Sequence, residues 1–379
     1  MKFIFLSASI LVGSLLISSC SKDDTVENQR PDLVIPTTYD GSSFETNAAT
    51  ELDLLNKLSA LSNEMKKARV DGVIVDYATL SGILNEGNPS LKSVGSTYLI
   101  SKIDGPSNWL DQVMKASGNT FLPGEPSENG GTFGGYLFDE NGIDLEEYII
   151  KGMNGAVLYN HANDLLSGPF DATTTDKVIA IFGADPSFAN STDATLHTNP
   201  DRFIAGYTAR RDKNDAENPG FYLQIKNALI KLQAATKAGS EYKKEQQEAA
   251  DAIKINWEKG SASTVINYAY SVKSKLSGTS PTDADKASAL HALGECIGFI
   301  QGFKSISGKK ITDAQIDEIL ALFNAPDNGS TPTVYKFATD SFNELPKIQE
   351  AIDKIQNVYG FTAAEVIDFK ENWVSVQVR

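Results

Sequence analysis

Apolar side chains recur at helical spacing along most of the chain, and the pattern is clearest over residues 144–166. Asp144 is suited to cap the start of this helix, with Glu147 three positions later in a capping-box arrangement. The small and apolar positions form two stripes, one of Tyr148, Gly152, Gly155, Tyr159, Ala162 and Leu166 and one of Ile150, Met153 and Val157. A helix with more than one apolar side belongs inside a bundle. We therefore expect residues 144–166 to form a long, largely enclosed helix.

A second long helix is predicted over residues 282–306, and a stripe of glycines marks it. The glycines recur every four residues, as Gly294, Gly298 and Gly302. Each costs about 1 kcal/mol relative to alanine in a helix interior, or roughly 3 kcal/mol together. Close approach of another helix would compensate, and the small residues of 144–166 that suit this contact are Gly152, Gly155 and Ala156. The alternative is that the glycines only loosen the helix.

Helical periodicity prevails elsewhere, so the sequence predicts an all-α helical bundle. Each half of the chain has one glycine-marked helix carrying His and Glu, which suggests two related helical halves packed around these central helices. Two stretches differ from the rest. Residues 94–103 are rich in β-branched and aromatic side chains and are predicted to form a short strand. Residues 118–141 are rich in Gly, Pro, Asn and Glu and are expected to form a flexible surface loop or a ligand lid.

The N-terminus has the features of a lipoprotein signal. Lys2 precedes an apolar run over residues 3–17, and Ser18 and Ser19 precede Cys20. The run is too short for a typical membrane span. We predict a signal peptide over residues 1–19, lipidation of Cys20, a flexible tether over 20–49 and a helical domain over 50–379. The membrane would then be a partner through the lipid anchor, and the protein an outer-membrane lipoprotein. The acidic Ser21-Lys22-Asp23-Asp24 after Cys20 fits export to the cell surface, or simply a solvated tether.

Charge and cysteine content narrow the classes of partner. The chain of 379 residues has 34 Lys and Arg against 49 Asp and Glu, a formal net charge of −15. Nucleic acid and anionic lipid surfaces need basic patches, so no nucleic-acid partner is expected. Cationic ligands, metal ions and basic protein surfaces remain as candidates. Once Cys20 is acylated, only Cys296 is left, and its apolar helical surroundings predict a buried small side chain rather than a disulfide or a reactive thiol.

Candidate chemistry concentrates on the two central helices. The polar residues that we single out as ligand-binding candidates are Glu147, Lys151, Asn154 and His161 on the first helix and His291 and Glu295 on the second. His291 and Glu295 are four residues apart, so their side chains lie adjacent and suit a shared proton or metal ion. If the helices face each other, the two sets converge in a polar pocket. The alternative is a purely structural network in which Glu147 pairs with Lys151 and His291 with Glu295. Neither the metal nor any cofactor is identified by the sequence.

Several short segments resemble a Bacteroidetes-type lipoprotein family of unknown function that is distantly imelysin-like. They are Glu147-Tyr-Ile-Ile-Lys-Gly-Met-Asn-Gly-Ala156, Ala209-Arg-Arg-Asp-Lys213, Trp257-Glu-Lys-Gly-Ser-Ala262, Ala289-Leu-His-Ala-Leu-Gly-Glu-Cys-Ile-Gly-Phe299 and Tyr359-Gly-Phe361. The resemblance implies a helical fold, with two imelysin-like halves, and an association with iron-regulated uptake systems. The imelysin-type Gly-x-His-x-x-Glu signature is absent, since His291 and Glu295 are more widely spaced.

Three functions follow as hypotheses. The first is a non-enzymatic, lipid-anchored binding protein of the cell envelope, an accessory in iron or haem acquisition that works with outer-membrane uptake proteins. The second is a metal-assisted hydrolase of the imelysin or peptidase kind that uses His291 and Glu295. The third is a structural accessory subunit of an outer-membrane complex. The sequence contains no His-Glu-x-x-His, Gly-x-Ser-x-Gly or Cys-x-x-Cys motif, which favours binding over catalysis.

Overall fold

A computed structural model describes residues 30–106 and 108–379, and helices dominate them. In the first part of the chain the elements are α1 (Phe44–Asn47), α2 (Ala49–Lys66), α3 (Tyr77–Asn85), α4 (Leu91–Val94), α5 (Thr97–Ile103), α6 (Trp109–Ala116), β1 (Gly131–Phe133), β2 (Tyr136–Phe138), α7 (Leu145–Met153), α8 (Asn160–Leu165) and α9 (Thr174–Phe182). In the second part they are α10 (Phe203–Arg211), α11 (Phe221–Ala238), α12 (Lys243–Leu276), α13 (Asp283–Gly302), α14 (Asp313–Leu322), α15 (Lys336–Thr339), α16 (Ser341–Tyr359), α17 (Ala363–Asp368) and α18 (Trp373–Gln377). The all-α prediction is confirmed.

The bundle is organised around α12 and α13. α12 has 34 residues and so is about 50 Å long at 1.5 Å per residue. It packs against α10, α11, α13 and α16, and α13 packs in turn against α7. The second half of α12 contributes buried small and apolar side chains on several sides, as expected for an enclosed helix. Among the described residues, no helix combines the length and apolarity needed to cross a bilayer.

The predicted helix over 144–166 is present but not uniform. α7 begins after Asp144, whose side chain accepts a hydrogen bond from the Glu147 backbone N–H as the cap predicts. A π-helical segment, Asn154–Tyr159, then separates α7 from α8. The π-helix is rare and occurs mostly as a single turn inserted in an α-helix. Periodicity alone did not reveal this one, because its residues are as apolar as those of the flanking turns.

The strand prediction for residues 94–103 is wrong. This stretch contains the end of α4 and all of α5, which follow a capping box formed by Ser90 and Ser93. Leu99, Ile100 and Ile103 are buried and recur at helical spacing. Packing of this helical side against the core therefore overrode the strand preference of the β-branched residues.

The two-stranded sheet lies instead inside 118–141, the stretch predicted as a flexible loop or lid. β1 pairs with β2 in antiparallel register, with Thr132 opposite Leu137. Gly134 and Gly135 connect the strands with φ of 58° and 86°, the left-handed values that a tight hairpin needs at both central positions. Phe133 and Phe138 are buried at the strand ends. This part of the stretch is thus a docked hairpin.

The tether predicted over 20–49 is too long at its C-terminal end. Residues 33–379 form one compact unit, and Tyr39, Phe44 and Ala48 are buried in its core. The Tyr39 hydroxyl donates to Oδ1 of Asp176 at 2.7 Å. Helical residues therefore begin at Phe44, before the predicted start at 50. The predicted signal peptide and Cys20 lie outside the described residues.

Candidate functional site

The glycine stripe brings the two central helices into backbone contact, as predicted. A Cβ atom added at Gly298 would lie 2.9 Å from the carbonyl oxygens of Glu147 and Tyr148, and one at Gly155 would lie 2.5 Å from the carbonyl carbon of Gly302. Only glycine allows the helices to approach this closely. As a result, α7 and α13 present their polar side chains to each other across a short gap.

Three of the predicted site residues meet in this gap with metal-ligand chemistry. Nε2 of His291 lies 3.8 Å from Oε1 of Glu147 and 3.9 Å from Oε2 of Glu295. One ligand atom from each of the three residues falls within 4.8 Å of the others. The carboxylates are almost fully buried and His291 is partly exposed. One imidazole and two carboxylates form a donor set that suits zinc or ferrous iron.

Asp144 holds His291 in the orientation that this donor set needs. Oδ2 of Asp144 lies 2.9 Å from Nδ1 of His291. An ionised carboxylate only accepts hydrogen bonds, so Nδ1 carries the proton and donates it. When the imidazole is neutral, its lone pair lies on Nε2, which faces Glu147 and Glu295. Despite burial, the surrounding carboxylates raise the pKa of His291, so a metal ion would have to displace a proton from Nε2. Metal-binding histidines are commonly oriented by a carboxylate in this way. Sequence reasoning identified Asp144 only as a helix cap and missed this second role.

Two cations, buried Lys151 and partly exposed Arg69, lie against the carboxylates of this cluster. Nζ of Lys151 lies 2.9 Å from Glu147 and 3.2 Å from Glu295, and it donates to the Tyr207 hydroxyl at 2.6 Å. Arg69, at the end of the 3₁₀ turn after α2, lies 2.9 Å from Glu147 and also contacts Glu146. An ion bound by Glu147 and Glu295 would have to displace Nζ of Lys151 from both carboxylates and leave it with Tyr207 as its partner.

The pKa values reflect this crowding of charge. Burial raises the pKa of Glu295, and burial together with the charge of Glu147 raises the pKa of Glu146 to about 8. Burial acts on Glu147 in the same direction, but the charges of Lys151, His291 and Arg69 outweigh it and hold its pKa well below the usual range. Burial lowers the pKa of His291, yet the hydrogen bond and charge of Asp144 outweigh that effect and raise it.

The hairpin predicted as a possible lid closes one side of the cluster. The ring of Tyr136, the first residue of β2, stacks on the His291 imidazole with centroids 4.1 Å apart. The guanidinium of Arg69 lies 5.3 Å from the centroid of the same ring. On another side, a cavity of about 400 Å³ reaches Glu146, Lys151 and Tyr207. Solvent therefore approaches the cluster from the Lys151 side, while Tyr136 covers His291.

Two of the predicted site residues lie elsewhere. Asn154 is buried and donates to the Ile150 carbonyl on its own helix. His161 is ten residues beyond Lys151, about 15 Å along a helix, and its Nε2 lies 3.1 Å from Glu51 of α2. The predicted convergence of both histidines is therefore wrong: Glu147, Lys151, His291 and Glu295 meet, whereas Asn154 and His161 do not join them.

Arg69 and Tyr136 were missed because nothing in their local sequence marks them. Arg69 follows an ordinary amphipathic helix, and Tyr136 lies in a glycine-rich stretch. Cys296 is fully buried as predicted, and burial raises its pKa, so it takes no part in the site.

No protein-family model, curated protein or solved structure matches the chain. The resemblance to imelysin-like lipoproteins therefore stays a prediction.

Proposed function

We propose that the protein is a lipid-anchored protein of the cell envelope that binds a divalent transition-metal ion through His291, Glu147 and Glu295. In this role it acts as an accessory in iron or haem acquisition. The observation that carries the proposal is the orientation of His291. Its Nδ1 is fixed by Asp144, and its Nε2 has no hydrogen-bond partner among the described residues and faces two carboxylates.

The distances support an ion of ordinary size. Metal–ligand bonds to imidazole nitrogen and carboxylate oxygen are about 2.0–2.2 Å long. Two donors on one such ion are therefore at most about 4.4 Å apart, and the separations of Nε2 from Glu147 and Glu295 are 3.8 and 3.9 Å. To bring all three donors to one ion, the carboxylates must turn toward Nε2 and release Nζ of Lys151, which lies 2.9 Å from Glu147 and 3.2 Å from Glu295.

Binding is favoured over metal-assisted hydrolysis because the cluster is covered. A catalytic metal keeps an open position for water or substrate. Here Tyr136 stacks on His291, and Arg69 and Lys151 lie against the carboxylates. These side chains leave less room for a substrate than for an ion. The acidic net charge also supports attraction of a cation.

Metal titration of the purified protein tests the binding role. After treatment with a chelator, we expect calorimetry to detect one zinc or ferrous ion per chain. Glu295→Gln keeps the shape of the side chain but weakens a ligand, so its dissociation constant should rise by about tenfold or more. Glu51→Gln is the matched control, because it alters the other His–Glu pair of the bundle. The proposal is wrong if neither zinc, iron nor haem binds, or if both variants bind like the wild type.

The envelope role is tested separately. We expect Cys20→Ala to abolish incorporation of labelled fatty acid and to release the protein from membranes. A deletion strain should grow more slowly than its parent when iron is limiting and normally when iron is abundant. Co-purification with outer-membrane uptake proteins in mild detergent would identify partners. Equal growth of both strains under iron limitation, together with absence of metal binding, would refute the uptake role.

A further inference from the structure

A second cavity, of about 870 Å³, lies beside the C-terminal end of α10, the second half of α12 and the segment that links α17 to α18. Four basic side chains line it: Arg210, Arg211, Lys273 and Lys370. None of the described residues that line it is Asp or Glu. In a chain with 49 acidic residues and a net charge of −15, four cations around one concave surface without an intervening carboxylate form an electropositive pocket.

The four cations are unusual because none forms a salt bridge with a carboxylate of the described residues. Most partly buried lysines of the bundle pair with carboxylates, as Lys304 does with Asp327 at 2.6 Å. By contrast, no salt bridge joins Arg210, Arg211, Lys273 or Lys370 to any described residue. Nζ of Lys273 donates to Oε1 of the neutral Gln349 side chain at 2.5 Å. Glu371 and Asp353 lie near the pocket but not in its lining.

Arg211 is only partly hydrogen-bonded by the described residues. Its Nη1 donates to the Phe369 carbonyl at 2.8 Å, but its Nε is buried and has no acceptor. A buried donor without a partner costs about 1–3 kcal/mol. Burial lowers the pKa of Arg211 to about 10, so the guanidinium still carries its charge at neutral pH. A guanidinium presents paired N–H donors that match a carboxylate or phosphate.

Aromatic rings supply the remaining surface of the pocket. Tyr268 and Tyr270 line it together with the basic side chains, and Nζ of Lys370 lies 4.1 Å from the centroid of the Tyr270 ring. Small-molecule sites typically occupy about 300–1,000 Å³ and combine apolar surface with a few directed polar groups. Volume, charge and aromatic lining therefore all fit a small organic ligand with more than one negative group.

We propose that this pocket binds a small organic polyanion whose oxyanion groups contact Arg210, Arg211, Lys273 and Lys370 and whose planar body lies against Tyr268 and Tyr270. The pocket adjoins the metal-binding cluster, since Tyr207 lines the pocket and accepts a hydrogen bond from Lys151. Its four cations are separate from the proposed metal ligands, so it requires neither a metal nor the lipid anchor. The shared chemistry of its ligands is two or more carboxylate or phosphate groups on one small molecule.

Calorimetry with three probes tests the proposal and separates the ligand classes. The probes are benzene-1,3,5-tricarboxylate, inorganic pyrophosphate and the monoanion benzoate, in a buffer without polyvalent anions. We expect one polyanion per chain to bind, more weakly at high salt because the contacts are ionic. Tighter binding of the tricarboxylate indicates a carboxylate ligand that stacks on tyrosine, and tighter binding of pyrophosphate indicates a phosphate ligand. Benzoate should bind at least tenfold more weakly than the better polyanion.

Charge variants locate the binding. The double variant Arg210→Gln with Lys370→Gln changes two side chains that solvent can reach. We expect the dissociation constant of this variant for the polyanion to rise by tenfold or more. Lys244→Gln is the control. Lys244 is exposed at the far end of α12, and this variant also removes a positive charge. Thermal unfolding near that of the wild type shows that the variants fold. Absence of polyanion binding at millimolar concentration overturns the proposal, as does an equal loss in the Lys244→Gln control.

Discussion

The contact between α7 and α13 predicts that a single methyl group at Gly298 will separate the helices that form the metal-binding cluster. The added Cβ of alanine would lie 2.9 Å from the carbonyl oxygens of Glu147 and Tyr148 and 2.9 Å from Cβ of Lys151. Ordinary van der Waals contact begins near 3.4 Å. Two of these three atoms belong to backbone that is fixed inside a helix, so the helices must move apart.

The magnitude follows from two opposing effects. Alanine improves the helix propensity of α13 by about 1 kcal/mol relative to glycine. Overpacking of a close contact costs about 1–3 kcal/mol. We expect the Gly298→Ala variant to lose about 1–2 kcal/mol of unfolding free energy relative to the wild type, because the contact is tight on several sides. It should also bind metal more weakly, since Glu147 and His291 lie on the separated helices.

Urea unfolding followed by circular dichroism measures the effect, and α3 supplies the control. Gly82 lies inside α3, and a Cβ added there meets no heavy atom within 4 Å. Gly82→Ala should therefore gain up to about 1 kcal/mol from helix propensity alone. If both alanine variants are stabilised to the same extent, the glycine stripe does not serve close packing, and the reasoning is refuted.

Two further predictions concern other parts of the unit. Tyr39→Phe removes the hydroxyl that donates to Asp176, so we expect a loss of about 1–2 kcal/mol in urea unfolding; an unchanged midpoint would mean that the N-terminal segment is not docked. Asp139 is fully buried, and burial raises its pKa from 3.8 to about 7. Protonation is therefore favoured in the folded state, so the stability contributed by Asp139 is complete below about pH 4 and is lost as pH rises to about 7. Relative to Asp139→Asn, the wild type should lose about 4 kcal/mol between pH 4 and 8 in unfolding curves; parallel pH profiles would contradict this.

Part of the site could be predicted because it depends on spacing within one helix. Glu147 and Lys151 are four residues apart, as are His291 and Glu295, and such pairs share a helix side whatever the tertiary structure. The glycines of α13 also indicated the partner helix, because their cost requires a close neighbour. Asn154 and His161 were grouped with the site by the same spacing. The π-helical segment and the length of the helix place them elsewhere.

The remaining site residues come from segments that are distant in sequence. Arg69 and Tyr136 reach the cluster only because α2 ends beside the start of α7 and the hairpin folds over His291. The basic pocket likewise joins Arg210, Lys273 and Lys370 from three separate segments. Long-range packing decides these proximities, and the periodicity of a single segment carries no record of it.

By itself, the sequence determined that the chain folds into a helical bundle, that Asp144 caps a central helix and that two glycine-marked helices come into backbone contact. These features depend on local propensity, apolar periodicity and the small size of glycine, all of which act over a few neighbouring residues. Only the tertiary structure decided that Asp144 orients His291, that residues 131–138 form a docked hairpin and that His161 pairs with Glu51. Those outcomes depend on how buried surfaces fit together across the whole unit. An ionic or aromatic contact between two helices depends on the distance between them, which the order of residues along a single helix does not determine.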